Sequence, residues 1–344
     1  MSVDLLQPPG FVSPGDALAM SQAAPTFFRS TRPSSLPYPL SILTSSESPE
    51  QWHTYENLLV ACLRTGDDGS AFICLKELTD RFGESNERVQ YLTGLYREAT
   101  AEDDKALQEV SKWYDTVIAE TPINFPIRKR RIALLRSLGK KNEAIKALTE
   151  FLDASPVDAE AWAELSDLYF TQGLYAQAIF CLEEVLLITP NAWNIHARLG
   201  EVTYAHAQQS LPEDAATSTT SGADALKLLS NSMRHFCRSL ELCEDYLRAY
   251  YGLKITTTRL MSLTPPSSSK STTVTESSTT TATDGDLAPP SLATLQKLNE
   301  KATAKLAEIV RRGGAREKGW DGYDDAELSA ARELLKKDGA EVVR

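Results

Sequence analysis

A single offset limits what this chain can fold into. The stretch AIKALTEFLDASP (144–156) returns as AIFCLEEVLLITP (178–190). Ala144 and Ala178, Leu148 and Leu182, Glu150 and Glu184, and Pro156 and Pro190 each differ by 34 positions. Gly139 and Gly173, just upstream, keep the same offset. Before the second copy, AEAWAELSDLYFTQGLYAQA spaces Trp162, Leu165, Ser166 and Tyr169 as W-x2-L-G-x2-Y, with Ser in the small position. One more period carries Leu165 to Leu199 and Ser166 to Gly200.

A 34-residue period with that pattern is the tetratricopeptide repeat, two antiparallel helices per unit. The residue types have physical reasons. Ser166, Gly200, Ala144 and Ala178 are small enough to let helices approach closely. Trp162, Tyr169 and Leu182 fill the space between neighbouring pairs. Pro156 and Pro190 stop the second helix of each unit, because proline breaks the hydrogen-bond ladder. An earlier echo, AFICLKELTDRFG (71–83), holds Ala71, Cys74, Leu75 and Glu77 in register. Extending the register predicts an all-α, superhelical tetratricopeptide-repeat solenoid of about six helix pairs, near 50–83, 87–121, 125–155, 159–189, 193–243 and 246–312. EATAEDDKA lengthens the turn inside the second pair.

Composition sets the domain scheme. Residues 1–48 are rich in Pro and Ser and are expected to be disordered or extended. The solenoid covers 49–312 and carries two polar insertions, 208–224 and the Ser/Thr-rich 264–290. Neither insertion holds enough apolar surface to offset the entropy of ordering it. Residues 313–344 form a charged tail with one short helix expected around Asp324–Leu335. The N-terminus lacks the basic start and apolar core of a signal peptide, and no apolar run approaches the ~18 residues of a membrane span. The formal net charge of −11 argues against a general nucleic-acid binder. Five cysteines, an odd count without a tight pair, fit reduced thiols.

Catalytic and metal chemistry find little support. Cys181 sits beside Glu183 and Glu184, but consecutive helical residues point about 100° apart and form no dyad. The matching position one repeat earlier is Ala147, so the site asks for a small apolar group. There is no P-loop, nucleophile elbow or HExxH pair. In HFCRSLELC (235–243), Cys237 lies about 200° around the helix from His235, and His196 and His206 are isolated. No catalytic residue, metal ligand or cofactor is expected.

The sharpest polar feature is IRKRRIALLR (127–136), where Arg128, Lys129, Arg130 and Arg131 are consecutive. Three readings stand: a solvated helix face, a docking surface for an acidic partner, or attraction to anionic headgroups or RNA. The groove-facing positions of the fourth and fifth repeats, Ala163, Asp167, Ala197 and Glu201, place acids where a carboxylate-gripping adaptor needs cations.

Three stretches resemble the family of subunit 2 of the endoplasmic reticulum membrane protein complex. They are ENLLVACLRTGDDGSAFICLKELTDRFGESNERVQYLTGL (56–95), IRKRRIALLRSLGKKNEAIKALTEFL (127–152) and EAWAELSDLYFTQGLYAQAIFCLEEVLLITPNAWNIHARLGEVTYA (160–205). The Pro-rich N-terminus, the two insertions and the tail depart from the family's pattern. The resemblance implies a non-catalytic scaffold, peripheral on the cytoplasmic face of the endoplasmic reticulum. It would hold cytosolic segments of membrane-embedded subunits and a soluble subunit of an insertase, touching the membrane only through those partners. The alternative is a tetratricopeptide adaptor or co-chaperone outside that complex.

Overall fold

A computed structural model describes residues 4–6, 13–31, 48–211, 219–263, 290–320, 322–337 and 339. Among these residues fourteen α-helices form and no strand. They are α1 (Pro14–Thr31), α2 (Pro49–Thr65), α3 (Asp68–Phe82), α4 (Glu87–Ala99), α5 (Asp104–Glu120), α6 (Phe125–Ser137) and α7 (Lys141–Ala154). Then follow α8 (Ala159–Thr171), α9 (Tyr175–Ile188), α10 (Trp193–Ser210), α11 (Thr219–Leu242), α12 (Leu247–Leu263), α13 (Leu292–Gly314) and α14 (Asp325–Lys337). The fold is all-α and of the tetratricopeptide-repeat type, with six successive pairs from α2–α3 to α12–α13. The chain divides into two compact units, Met1–Phe151 and Leu152–Arg344.

Local chemistry sets the helix ends. Ser48, Asp67, Asn86, Asp103, Asn124 and Asp158 each accept a backbone N–H from the first turn of the helix that follows. Such caps satisfy donors that the helix itself leaves unpaired. Between the two helices of the third and fourth pairs, Gly139 and Gly173 take left-handed backbone, with φ of 72° and 74°. A side chain is strained in that conformation, which accounts for glycine at both ends of the 34-residue offset. α9 ends at Ile188, two residues before Pro190, and α7 ends at Ala154, two before Pro156.

In the first unit, α2, α3 and α4 bury Leu58, Leu59, Cys62, Ala71, Cys74, Leu78 and Leu92. The expectation of a disordered or extended N-terminal segment is corrected for residues 14–31. These form α1, which packs on α2 and α3 and buries Ala17, Met20 and Ala24. Those residues recur at helical spacing, and Phe27 and Phe28 stack around Tyr55 and Trp52. Pro25 lies inside the helix. Proline has no N–H to give the preceding turn, and burial of this apolar face outweighs that loss. Residues 32–47 lie outside the described residues.

In the second unit the core runs through Leu229, Phe236, Leu253, Leu260, Leu295, Leu306 and Ile309. The residues named for repeat packing take different positions. Leu165, Ala178 and Leu182 are buried, and Tyr169 packs at the edge of the cluster around Ala178 and Leu182. Trp162 donates its indole N–H to the Pro156 carbonyl at 2.8 Å and meets Phe180 edge-on. Ala144 and Leu148, on α7, are buried as well. The loop expected over 208–224 is shorter than that: α10 continues to Ser210, α11 begins at Thr219, and 212–218 lie outside the described residues. Residues 264–289 also lie outside them. The C-terminal segment is more than a charged tail. α14 packs on α13 and buries Leu328, Ala331 and Leu335, while the Tyr323 hydroxyl donates to the Asp245 carbonyl at 2.8 Å.

Candidate partner-binding surfaces

The basic run lies on α6, and its four side chains diverge. Arg130 forms a two-pronged pair with Glu98 of α4, its Nε 3.2 Å from Oε1. The Tyr114 hydroxyl of α5 donates to the same carboxylate. Burial and the Glu98 charge together raise the Tyr114 hydroxyl well above its ordinary range, so it stays a donor. Gly94 makes room for that ring: a Cβ there would stand 2.7 Å from Tyr114 Cε1. Arg131 pairs with Asp115 of α5. Arg128 donates to the Glu150 carbonyl at 3.0 Å, and its guanidinium lies 5.6 Å from the Phe151 ring centroid. Lys129 borders the same ring at 5.8 Å. Two of the four cations are thus held by carboxylates within the first unit, which sequence spacing did not foresee.

In the second unit the acids named for the groove are not free. Asp167 accepts from Arg198 at 3.0 Å, Arg198 also reaches Glu201 at 3.0 Å, and Arg248 reaches Glu201 at 3.0 Å. Arg198 also lies over the Phe170 ring, 4.5 Å from its centroid. The result is an alternating ladder across α8, α10 and α12. The expected acidic face is largely neutralised by Arg198 and Arg248. Arg198 is readable in the sequence as the i,i+3 partner of Glu201; Arg248 lies 47 residues on and is not.

The thiols and imidazoles are packing groups. Cys181 is 1% exposed, and burial, with Glu184 second, pushes its thiol up to about 12. A thiol so raised is a poor nucleophile. His196 is not isolated: its ring stacks on His235 of α11 at 5.9 Å, and its Nε2 lies 3.1 Å from the Pro190 carbonyl oxygen. Burial, then the His196 charge, lowers His235 to about 4. Among the described residues no three His, Cys, Asp or Glu side chains stand close enough to hold a metal.

A groove of about 770 Å³ opens between α3, α4 and α5 of the first unit, lined by Phe72, Tyr96 and Trp113 among others. It is open to solvent.

Comparison with known proteins agrees with this geometry. The family description "EMC2 TPR-like repeat domain" matches residues 84–213. The TPR repeat protein oca3 of Schizosaccharomyces pombe is 36% identical over 215 residues, 62% of this chain and 69% of the relative. ER membrane protein complex subunit 2-A of Xenopus laevis is 36% identical over 211 residues, 61% of this chain and 64% of its own length. The match therefore spans about two thirds of these relatives. A crystal structure of MamA protein aligns over 69% of this chain and 97% of its own, with 14% identity and a TM-score of 0.43, too low to add to the fold assignment. With a 34-residue period, small residues at the helix crossings and these sequence matches, the chain belongs to the ER membrane protein complex subunit 2 family.

Proposed function

We propose that this chain is a non-catalytic scaffold subunit of an endoplasmic reticulum membrane protein complex. In this reading it sits on the cytoplasmic face and holds cytosolic segments of membrane-embedded subunits together with a soluble partner subunit. It thereby supports insertion of transmembrane segments. The observation that carries the reading is the family match over the central repeats. Repeat arrays present long open surfaces suited to extended partners. Among the described residues no helix is long and apolar enough to cross a membrane, which fits attachment through partners.

The basic cluster narrows under this proposal. Arg130 and Arg131 are committed to Glu98 and Asp115, so docking is assigned to Arg128, beside Phe151. The test is affinity capture of the tagged chain from detergent-solubilised membranes. Stoichiometric integral-membrane partners are expected; recovery of soluble chaperones alone would make the chain an adaptor outside the complex. Arg128→Glu is expected to reduce that recovery, and unchanged recovery would remove Arg128 from the docking surface.

A further inference from the structure

The groove between α3, α4 and α5 is electrically polarised along its length. At one end stand Asp80, Glu84 and Glu120, all exposed and, among the described residues, without an ion-pair partner. Thr79 and Gln90 continue the lining toward the middle. At the other end are Phe72, 53% exposed, and Trp113, whose ring carries the Arg97 guanidinium 4.5 Å from its centroid. Lys76 flanks them.

We infer that this groove binds a peptide segment of a partner in which a pair of basic residues lies about four positions from a large apolar residue. The spacing follows from the helices. Phe72 and Asp80 are eight residues apart on α3, a rise of about 12 Å. An extended strand covers about 3.3 Å per residue, so about four residues span the same distance. The apolar side chain seats against Phe72 and Trp113, and the basic pair meets the three carboxylates. Arg97, over the Trp113 ring, repels a basic residue from the aromatic end, which sets which end of the segment lies there. The inference deepens the scaffold reading and rests on it only in taking the occupant to be a partner segment.

The experiment uses the full-length chain and a fluorescein-labelled, end-capped dodecapeptide of Gly and Ser carrying a Lys-Arg pair four residues from a Leu-Phe pair. Fluorescence anisotropy is expected to give saturable binding that weakens as salt rises. Replacing the basic pair by Glu-Glu, or the apolar pair by Ser-Ser, is expected to weaken it at least tenfold. The doubly substituted Asp80→Lys, Glu120→Lys chain is expected to do the same, and to bind the Glu-Glu peptide better than the unsubstituted chain does. Phe72→Ser, at an exposed position, is expected to weaken both peptides. Equal binding of the basic and acidic peptides, or no binding up to millimolar peptide, would overturn the inference. So would concentration-dependent self-association abolished by Phe72→Ser, which would make a second copy of the chain the occupant. Failure of peptide binding with intact capture of membrane partners would sink the groove assignment alone; peptide binding without membrane partners would sink the complex assignment alone.

Discussion

Replacing Gly252 by alanine tests how closely three helices of the second unit approach one another. Phe236, on α11, is 1% exposed and lies between Gly200 of α10 and Gly252 of α12. A Cβ at Gly252 would overlap Cε1 and Cζ of the ring and come within 2.7 Å of Cδ1. Gly200 stands close to the same ring from another helix, a Cβ built on it lying 3.0 Å from Cε1 and Cζ, which limits how far the ring can shift. Overpacking of this kind costs about 1–3 kcal/mol, and this site belongs in the upper part of that range. Alanine regains about 0.8–1 kcal/mol over glycine inside a helix. Gly252→Ala is therefore expected to lose about 1–2 kcal/mol net. Phe236→Ala alone opens a cavity and is expected to cost about 3–5 kcal/mol.

The decisive variant is the double one. Without the ring, the added methyl meets only the cavity, so Gly252→Ala should change sign and stabilise by about 1 kcal/mol through helix propensity. The coupling is then about 2–3 kcal/mol. Urea titration followed by far-ultraviolet circular dichroism measures the free energies, and hydrogen exchange of α11 and α12 peptides localises them. A Gly252→Ala cost that is the same with and without Phe236, or no cost at all, would refute the wedge.

Arg130→Ala strips Glu98 of its cation in a pair whose side chains are 24% and 15% exposed, and a loss of about 3 kcal/mol is expected in thermal unfolding. Arg131→Ala is expected to cost under about 1 kcal/mol, because Asp115 is 53% exposed; equal losses would contradict the difference in burial. His235 sits near 4 when folded against an ordinary 6.5, so the unfolded chain binds the extra proton between those values. Its contribution is complete above pH 6.5 and is lost as pH falls toward 4, about 3 kcal/mol in all; His235→Gln should flatten that limb of a stability-versus-pH curve. Cys181 is expected to stay unmodified by a thiol reagent at pH 8 in the folded chain, and Cys181→Ala to leave partner recovery unchanged, as Ala147 occupies the equivalent position.

Much of the architecture was legible because it depends on local rules. The glycines at the repeat offset, Gly139 and Gly173, and the helix stops near Pro156 and Pro190 act within one or two residues. The small residues Ser166 and Ala178 also announced their role. The Ser166 hydroxyl donates to the Ala178 carbonyl at 2.9 Å, a contact that only closely packed helices allow. α1 was missed because Pro25 and the prolines around it outweighed the spacing of Ala17, Met20 and Ala24, whose value appears only once α2 and α3 supply a surface to cover.

The sequence by itself determined the repeat period and the ends of the central repeat helices, because both are written in short-range spacing. Tertiary structure alone decided what each charge faces. Four consecutive cations read alike in one dimension, yet a helix turns about 100° per residue. Arg130 is thereby carried to Glu98, Arg131 to Asp115, and Arg128 and Lys129 to Phe151. By the same turning, Asp80, Glu84 and Glu120 meet at one end of a groove although α4 lies between α3 and α5 in the chain. Charge is a property of a residue; the field a partner meets is a property of the packing.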